Sequence, residues 1–258
     1  MKFPEISRYH VNRSELKGTE MRVPAIRGII DRRLLINYRV DPEVLAKVCP
    51  SPFRPQLVNG HGVAGICLIR LKKIRPRLFP GWMGISSENA AHRIAVEWDT
   101  PEGIQTGVYI PRRDTSSLLN SLAGGRLFPG VHHRAKFGVK EDDKNFELRM
   151  QSLDDTTKVE VKAQIADDLP ENSIFSSLTD CSTFFEEGSL GYSPAHAESQ
   201  YDGLRLKTFN WEVTPLTVSH VESSYFSDLE HFPSGSLTFD NALLMQGIDH
   251  EWKSCESI

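Results

Sequence analysis

The chain has 258 residues, 39% of them hydrophobic and 25% charged, with a net charge of −4. That balance is ordinary for a soluble globular protein. It argues against general affinity for nucleic acid or anionic membrane, which needs a concentrated excess of Lys and Arg. No apolar run reaches the ~18 residues that span a bilayer, and the opening MKFPEISRYHVNRSELKG lacks the apolar core of a signal peptide, so a cytoplasmic location is expected.

Taken in chain order, Leu34 to Val40 reads as a strand. Asp41-Pro42-Glu43 then supplies a cap, a first-turn proline and an early acid for a short helix bearing Val44, Leu45 and Val48. Asn59-Gly60 marks a tight hairpin ahead of a strand over Val63 to Ile74. Ala90 to Trp98 and Ile104 to Ile110 flank a turn at 99–103, and Asp114 is expected to cap a helix from Thr115 to Leu122. From Ala135 to Ala166 the period is two: Phe146, Leu148 and Met150, then Val159, Val161, Ala163 and Ile165, alternate with polar neighbours. Breaks at 141–144 and 154–156 turn this stretch into a three-strand meander.

Ser173 is expected to cap a helix over Ile174 to Glu186. Leu204 to Lys207 and Trp211 to Val221 read as strands, with Pro215 demoting the second to an edge or a bulge. Leu244, Ile248 and Trp252 predict an amphipathic helix over Asn241 to Lys253. Strands dominate and no linker interrupts them. The reading is one mainly β domain over 1–258, a barrel with its core at about 28–232, an N-terminal arm and a C-terminal helix packed on it.

The spacing of reactive residues excludes several chemistries. Cys49, Cys67, Cys181 and Cys255 form no CxxC pair and are read as free thiols, Cys67 and Cys181 as small core residues. His220 with Glu222, and Asp249-His250-Glu251, lack the spacing of a metal site, so no metal and no cofactor are expected. No GxSxG and no glycine-rich phosphate loop occurs.

The stretch DRRLLINYRVDPEVLAKVCPSPF, Asp31 to Phe53, resembles the N-terminal signature of acetoacetate decarboxylases at Tyr38, Arg39, Asp41, Pro50 and Pro52. Ser87-Glu88 falls where that family carries a pocket glutamate, and Gly125-Arg126 where Gly-Arg opens its lysine segment. SSENAAHR, FFEEGSLGYSP and YDGLRL are similar to the YqjF-like bacterial branch of the same superfamily. The resemblance implies an acetoacetate decarboxylase-like β-barrel with a small polar site inside.

The chain departs from the family at the lysine. Acetoacetate decarboxylase is a standard case of a lysine made nucleophilic by a lowered pKa. Here, aligning from Gly125 puts His133 and Arg134 at the paired positions, and aligning from Ala135 puts His132 and His133 there. Schiff-base decarboxylation is therefore not expected. The resemblance also points to Arg32 and Arg33 as nearest counterparts of a carboxylate-binding arginine, and it leaves Gly65 where a second acidic residue would fall.

The expected site joins Glu88 to His132 or His133 as candidate catalytic groups, since neighbours on a strand face opposite ways and only one can look inward. Arg32, Arg112, Arg126 and Asn89 are the candidate ligand contacts. The expected ligand is a small metabolite bearing a carbonyl or carboxylate. Two readings stay open: a lyase or isomerase moving a proton beside a carbonyl, and a non-catalytic binding module. The expected assembly is a monomer or homodimer, with neither nucleic acid nor membrane as partner.

Overall fold

The structure is a computed structural model that describes residues 25–118, 130–195 and 200–258. Its strands are β1 (Ile26–Val40), β2 (Arg54–Pro55), β3 (Leu57–Val58), β4 (His61–Pro76), β5 (Ile85–Thr100), β6 (Gly103–Thr115) and β7 (His133–Glu141). They continue as β8 (Asn145–Ser152), β9 (Lys158–Ile165), β10 (Leu190–Pro194), β11 (Tyr201–Thr208), β12 (Thr214–Ser223) and β13 (Leu237–Cys255). Helices α1 (Pro42–Val48) and α2 (Leu178–Glu187) are the main helical elements among the described residues. None is long and apolar enough to cross a membrane.

The sheet closes on itself. Neighbours run β6-β7-β8-β9-β12-β13-β1-β4-β5, and β5 pairs back to β6. A second circuit leaves β6 through β10 and β11 and returns to β13. The strands β13, β1, β4 and β5 belong to both circuits and form a wall with a core on each face. Their side chains alternate between the two. Leu34, Ile36, Ala64, Ile66, Leu68, Ile94, Ala242 and Leu244 enter a first core completed by Phe146, Leu148, Met150, Val159 and Val161 of the meander. Leu35, Cys67, Ile69, Leu71, Ala95, Leu243 and Met245 enter a second, covered by Cys181 and Phe185 of α2. A strand buried on both sides carries an unbroken apolar run, which is why LLI of β1 and AGICLI of β4 lack the alternation of the meander.

Local signals act as their chemistry dictates. The Asp41 side chain accepts the Glu43 amide at 2.8 Å and Pro42 opens α1. Asn59 and Gly60 take positive φ values of 47° and 80° at the hairpin. The meander β7-β8-β9 is antiparallel throughout.

Three expectations are corrected. The segment expected as a helix over Asn241 to Lys253 is part of β13, paired with β1 along its length. Leu244 enters the first core, while Ile248 and Trp252 pack in the second, so the spacing of four that mimics a helix spans both faces of a strand. Leu243 and Met245 are buried too, at 0% and 1% exposure, so both faces are covered and no polar helical face exists. The expected core boundary near residue 232 therefore omitted a central strand. Asp114 and Thr115 end β6 instead of opening a helix, and the Asp114 carboxylate binds Arg112; that expected helix from Leu119 onward lies outside the described residues. Finally, α2 starts at Leu178 under a Ser177 cap. The hydroxyl of Ser173, read as the cap, instead accepts from the Phe175 amide and donates to Asp240 at 2.7 Å.

Burial leaves three histidines neutral at pH 7. It draws His92 down to about 3, aided by the Arg112 charge. It draws His132 down to about 4, aided by Arg113, and His250 down to about 4. Below pH ~6.5 the unfolded chain takes protons that the folded chain refuses, so stability present above that pH is lost as pH falls toward each folded value. At pH 5 the loss is about 2 kcal/mol per histidine. Thermal melts should therefore show Tm lower at pH 5 than at pH 7 by roughly 10–20 °C; equal values would refute the burial of these imidazoles.

Candidate functional site

A cavity of about 130 Å³ opens on the second face of the wall, closed over by β10, β11 and α2. Its polar lining is unusual. Arg33 of β1, Arg93 of β5 and Arg113 of β6 all reach it, with Asn89 of β5 and His132 just before β7. Ile69, Leu71, Val108, Ile110, Trp211 and Trp252 supply apolar walls.

Each arginine is held by neutral partners. Arg33 Nε donates to Cys67 Sγ at 3.3 Å and its NH1 approaches Met245 Sδ at 3.8 Å. Arg113 Nε donates to Ser193 Oγ at 2.7 Å. Arg93 is only 4% exposed, lies 4.7 Å over the Phe185 ring, and donates to the Asn37 side-chain oxygen. Asn37 then donates to Asn241 at 2.7 Å, and Asn241 to Asp240 at 2.6 Å. Asp240 also accepts the Ile174 amide at 2.9 Å, which ties the entry of α2 to the same relay. Burial lowers both Arg93 and Arg113 to about 10, so both stay charged at neutral pH. Among the described residues, no carboxylate pairs with Arg33, Arg93 or Arg113. Asp114 also lines the cavity, but its carboxylate is committed to Arg112 at 2.9 Å.

Buried cations normally stand beside an anion, because leaving them unpaired is costly. The cavity is thus an electropositive, largely apolar chamber suited to a small organic anion. His132 adds a neutral imidazole. Its Nδ1 faces the Gly130 carbonyl at 3.1 Å, so the proton sits on Nδ1 and Nε2 carries the lone pair. Asn89 is held in place by Ser87, whose hydroxyl accepts at 3.0 Å, and by Thr115, which donates to its side-chain oxygen at 2.7 Å.

The structure brings His132 and Asn89 to this chamber and leaves the other expected residues elsewhere. Glu88 is on the opposite face of β5. It accepts Arg32 at 2.6 Å and Arg70 at 2.5 Å, and Glu141 bridges the same two arginines, Arg32 at 2.7 Å. Arg32, 2% exposed, gives both terminal nitrogens to this cluster, which pins β1, β4, β5 and β7 together. Burial pushes the Glu141 carboxyl up, and the two guanidiniums overcome that and hold it below the usual range. His133 points away from the cavity, to Asp154 at 3.1 Å, and Arg112 joins Asp154 at 3.2 Å. The expected meeting of Glu88 with a histidine inside the barrel therefore does not occur. Arg126 lies outside the described residues. Gly65 has no room for the side chain the family resemblance would put there: a Cβ would collide with the Ile36 carbonyl and stand 3.2 Å from the Asn37 oxygen.

A family profile described as an uncharacterized conserved protein, DUF2071, matches residues 30–236. The chain belongs to that family. No curated protein matches its sequence. Among solved structures it is similar to acetoacetate decarboxylase from Legionella pneumophila, with TM-score 0.55 and 12% identity over 91% of this chain and 88% of that one. It is similar to an acetoacetate decarboxylase-like enzyme from Sphingomonas wittichii, with TM-score 0.55 and 10% identity over 91% and 92%. A third is the enduracididine biosynthesis enzyme MppR complexed with pyruvate, with TM-score 0.53 and 9% identity over 93% and 92%. The DUF2071 chain therefore has the acetoacetate decarboxylase-like fold, mainly β with few short helices.

Sequence reasoning did not select Arg93 and Arg113, which line the cavity. Alternation alone would have put Arg93 on the face opposite Glu88, five positions away. It would have misplaced Arg113, because a bulge between the His92–Arg112 and Ile94–Tyr109 pairings reverses the facing of β6 beyond Ile110.

The Glu88 cluster is expected to be structural. Glu88→Gln leaves Arg32 buried with part of its counter-charge gone, at a cost of about 3 kcal/mol. Urea unfolding should record that loss as a lower midpoint at constant m-value, and an unchanged midpoint would count against the assignment.

Proposed function

We propose that the chamber binds a small organic acid bearing a carbonyl next to or near its carboxylate. Three uncompensated guanidiniums facing one enclosed, mostly apolar space carry this reading. Their planar donors suit carboxylate oxygens, and Trp211, Trp252 and Ile69 suit a short carbon skeleton. That a protein of the same fold is described in complex with pyruvate supports the ligand class. Among the described residues no lysine lines the chamber, so this reading routes the activated carbonyl through no imine. Should turnover occur, a guanidinium would stabilise the enolate oxygen, and His132 Nε2 would accept the proton from the adjacent carbon. That is lyase- or isomerase-type chemistry.

Differential scanning fluorimetry with pyruvate, acetoacetate and 2-oxoglutarate tests the binding step. At least one should raise Tm. Arg33→Met should weaken the response about tenfold or more in ligand concentration. Arg33 makes only sulfur contacts, so this variant strands no carboxylate and is expected to fold. Absence of stabilisation by any small oxo acid would remove the proposal. Solvent-deuterium incorporation beside the carbonyl, followed by NMR, tests the chemical step. Exchange that disappears in His132→Ala supports proton transfer, whereas saturable binding without exchange leaves a binding module.

A further inference from the structure

The chamber also holds a thiol. Cys67 projects from β4 on the cavity side, is 7% exposed, and accepts from Arg33 Nε at 3.3 Å. Arg93 and Arg113 lie close enough for electrostatic contact with it. Guanidinium groups around a cavity-facing sulfur draw small anions to it. Arg93 gives an independent sign that something belongs beside this sulfur. It is buried, it lines the cavity, and its Nε has no hydrogen-bond partner among the described residues. Arg32 Nε is orphaned likewise in the Glu88 cluster, so it is the position of Arg93 on the cavity wall that leaves room for an acceptor on a ligand.

We propose that Cys67 is a nucleophile that adds reversibly to the electrophilic carbon of a small anion seated among Arg33, Arg93 and Arg113. The identity of that anion rests on the organic-acid reading above; the reactivity of the thiol does not. With a 2-oxo acid, a bond forms between Sγ and the carbonyl carbon. The carbonyl π pair moves to oxygen, and that oxygen takes the proton released by the thiol. The product is a thiohemiketal of unchanged composition, with nothing oxidised or reduced. The other thiols lie outside the cavity lining, although Cys181 also feels the Arg93 charge. Burial pushes Cys49 and Cys181 up to about 12, and Cys255 lies on β13.

Paired alkylation with iodoacetate and iodoacetamide, mapped by peptide mass spectrometry on the native chain, tests the thiol. An ordinary thiol reacts faster with the neutral reagent. At Cys67 the order should invert by about tenfold, because the chamber concentrates the anion, while Cys255 keeps the ordinary order. Arg33→Met should erase the inversion. A Cys67 that resists both reagents while Cys255 reacts, or one whose reagent preference equals that of Cys255, overturns the proposal. With carbon-13 pyruvate, the adduct should appear as a tetrahedral carbon signal in the wild type and be absent in Cys67→Ala. Binding without that signal would overturn covalent addition. Cys67→Ala also separates the two ideas. If pyruvate still raises its Tm while wild-type Cys67 proves inert, the nucleophile fails and the organic-acid reading stands. If Cys67 shows the inverted preference but no oxo acid binds, the organic-acid reading fails and the reactive thiol stands.

Discussion

Everything in this molecule depends on a wall of strands that is wet on neither side. In β13, β1, β4 and β5, successive residues project into two separate interiors. One interior is filled with aliphatic and aromatic side chains. The other keeps a hollow lined by cations. A strand has no third direction, so each buried residue of the wall belongs to one interior or the other, while Lys72, Asp99, Gln246 and Asp249 reach solvent. The chemistry of the chain follows from that sorting.

Adjacent residues of like chemistry end in different environments because of it. Arg32 is locked between Glu88 and Glu141, while Arg33 faces the cavity and touches only sulfur. Arg112 serves Asp114 and Asp154, while Arg113 reaches the cavity. His133 meets Asp154 and His132 lines the chamber. In each doublet one member fastens the sheet and the other is available to a ligand. Interior ion clusters and interior lone cations have opposite meanings. The former is satisfied and rigid, and the latter is stabilised only when an anion arrives.

The fold was legible where one face of a strand meets solvent, as in Phe146, Leu148 and Met150 of the meander, because burial there writes a period of two. It was illegible at Leu243 to Ile248, where both faces are covered and spacings of four satisfy a helix equally. Resemblance to a known family named the barrel and the arginine pair Arg32 and Arg33, but could not say which guanidinium faced inward. The same resemblance drew attention to Glu88, which falls where the family carries a pocket glutamate. Its partners Arg32, Arg70 and Glu141 come from three other strands, and only the sheet register assembles them. Arg113 and Cys67 were hidden for a different reason. A bulge at Ile110-Pro111 of β6 reverses facing, and its proline was the one local signal that could have exposed it; a small apolar-looking cysteine gives no hint that guanidinium groups surround it.

The two-sided wall also restricts how the chain can diverge. Deleting or inserting one amino acid within β1 would exchange Arg32 and Arg33, delivering the tethered guanidinium to the hollow and the sulfur-bound one to a pair of glutamates. Length changes in this lineage should therefore collect in the connections between strands, and the shared strands should tolerate replacement far better than slippage.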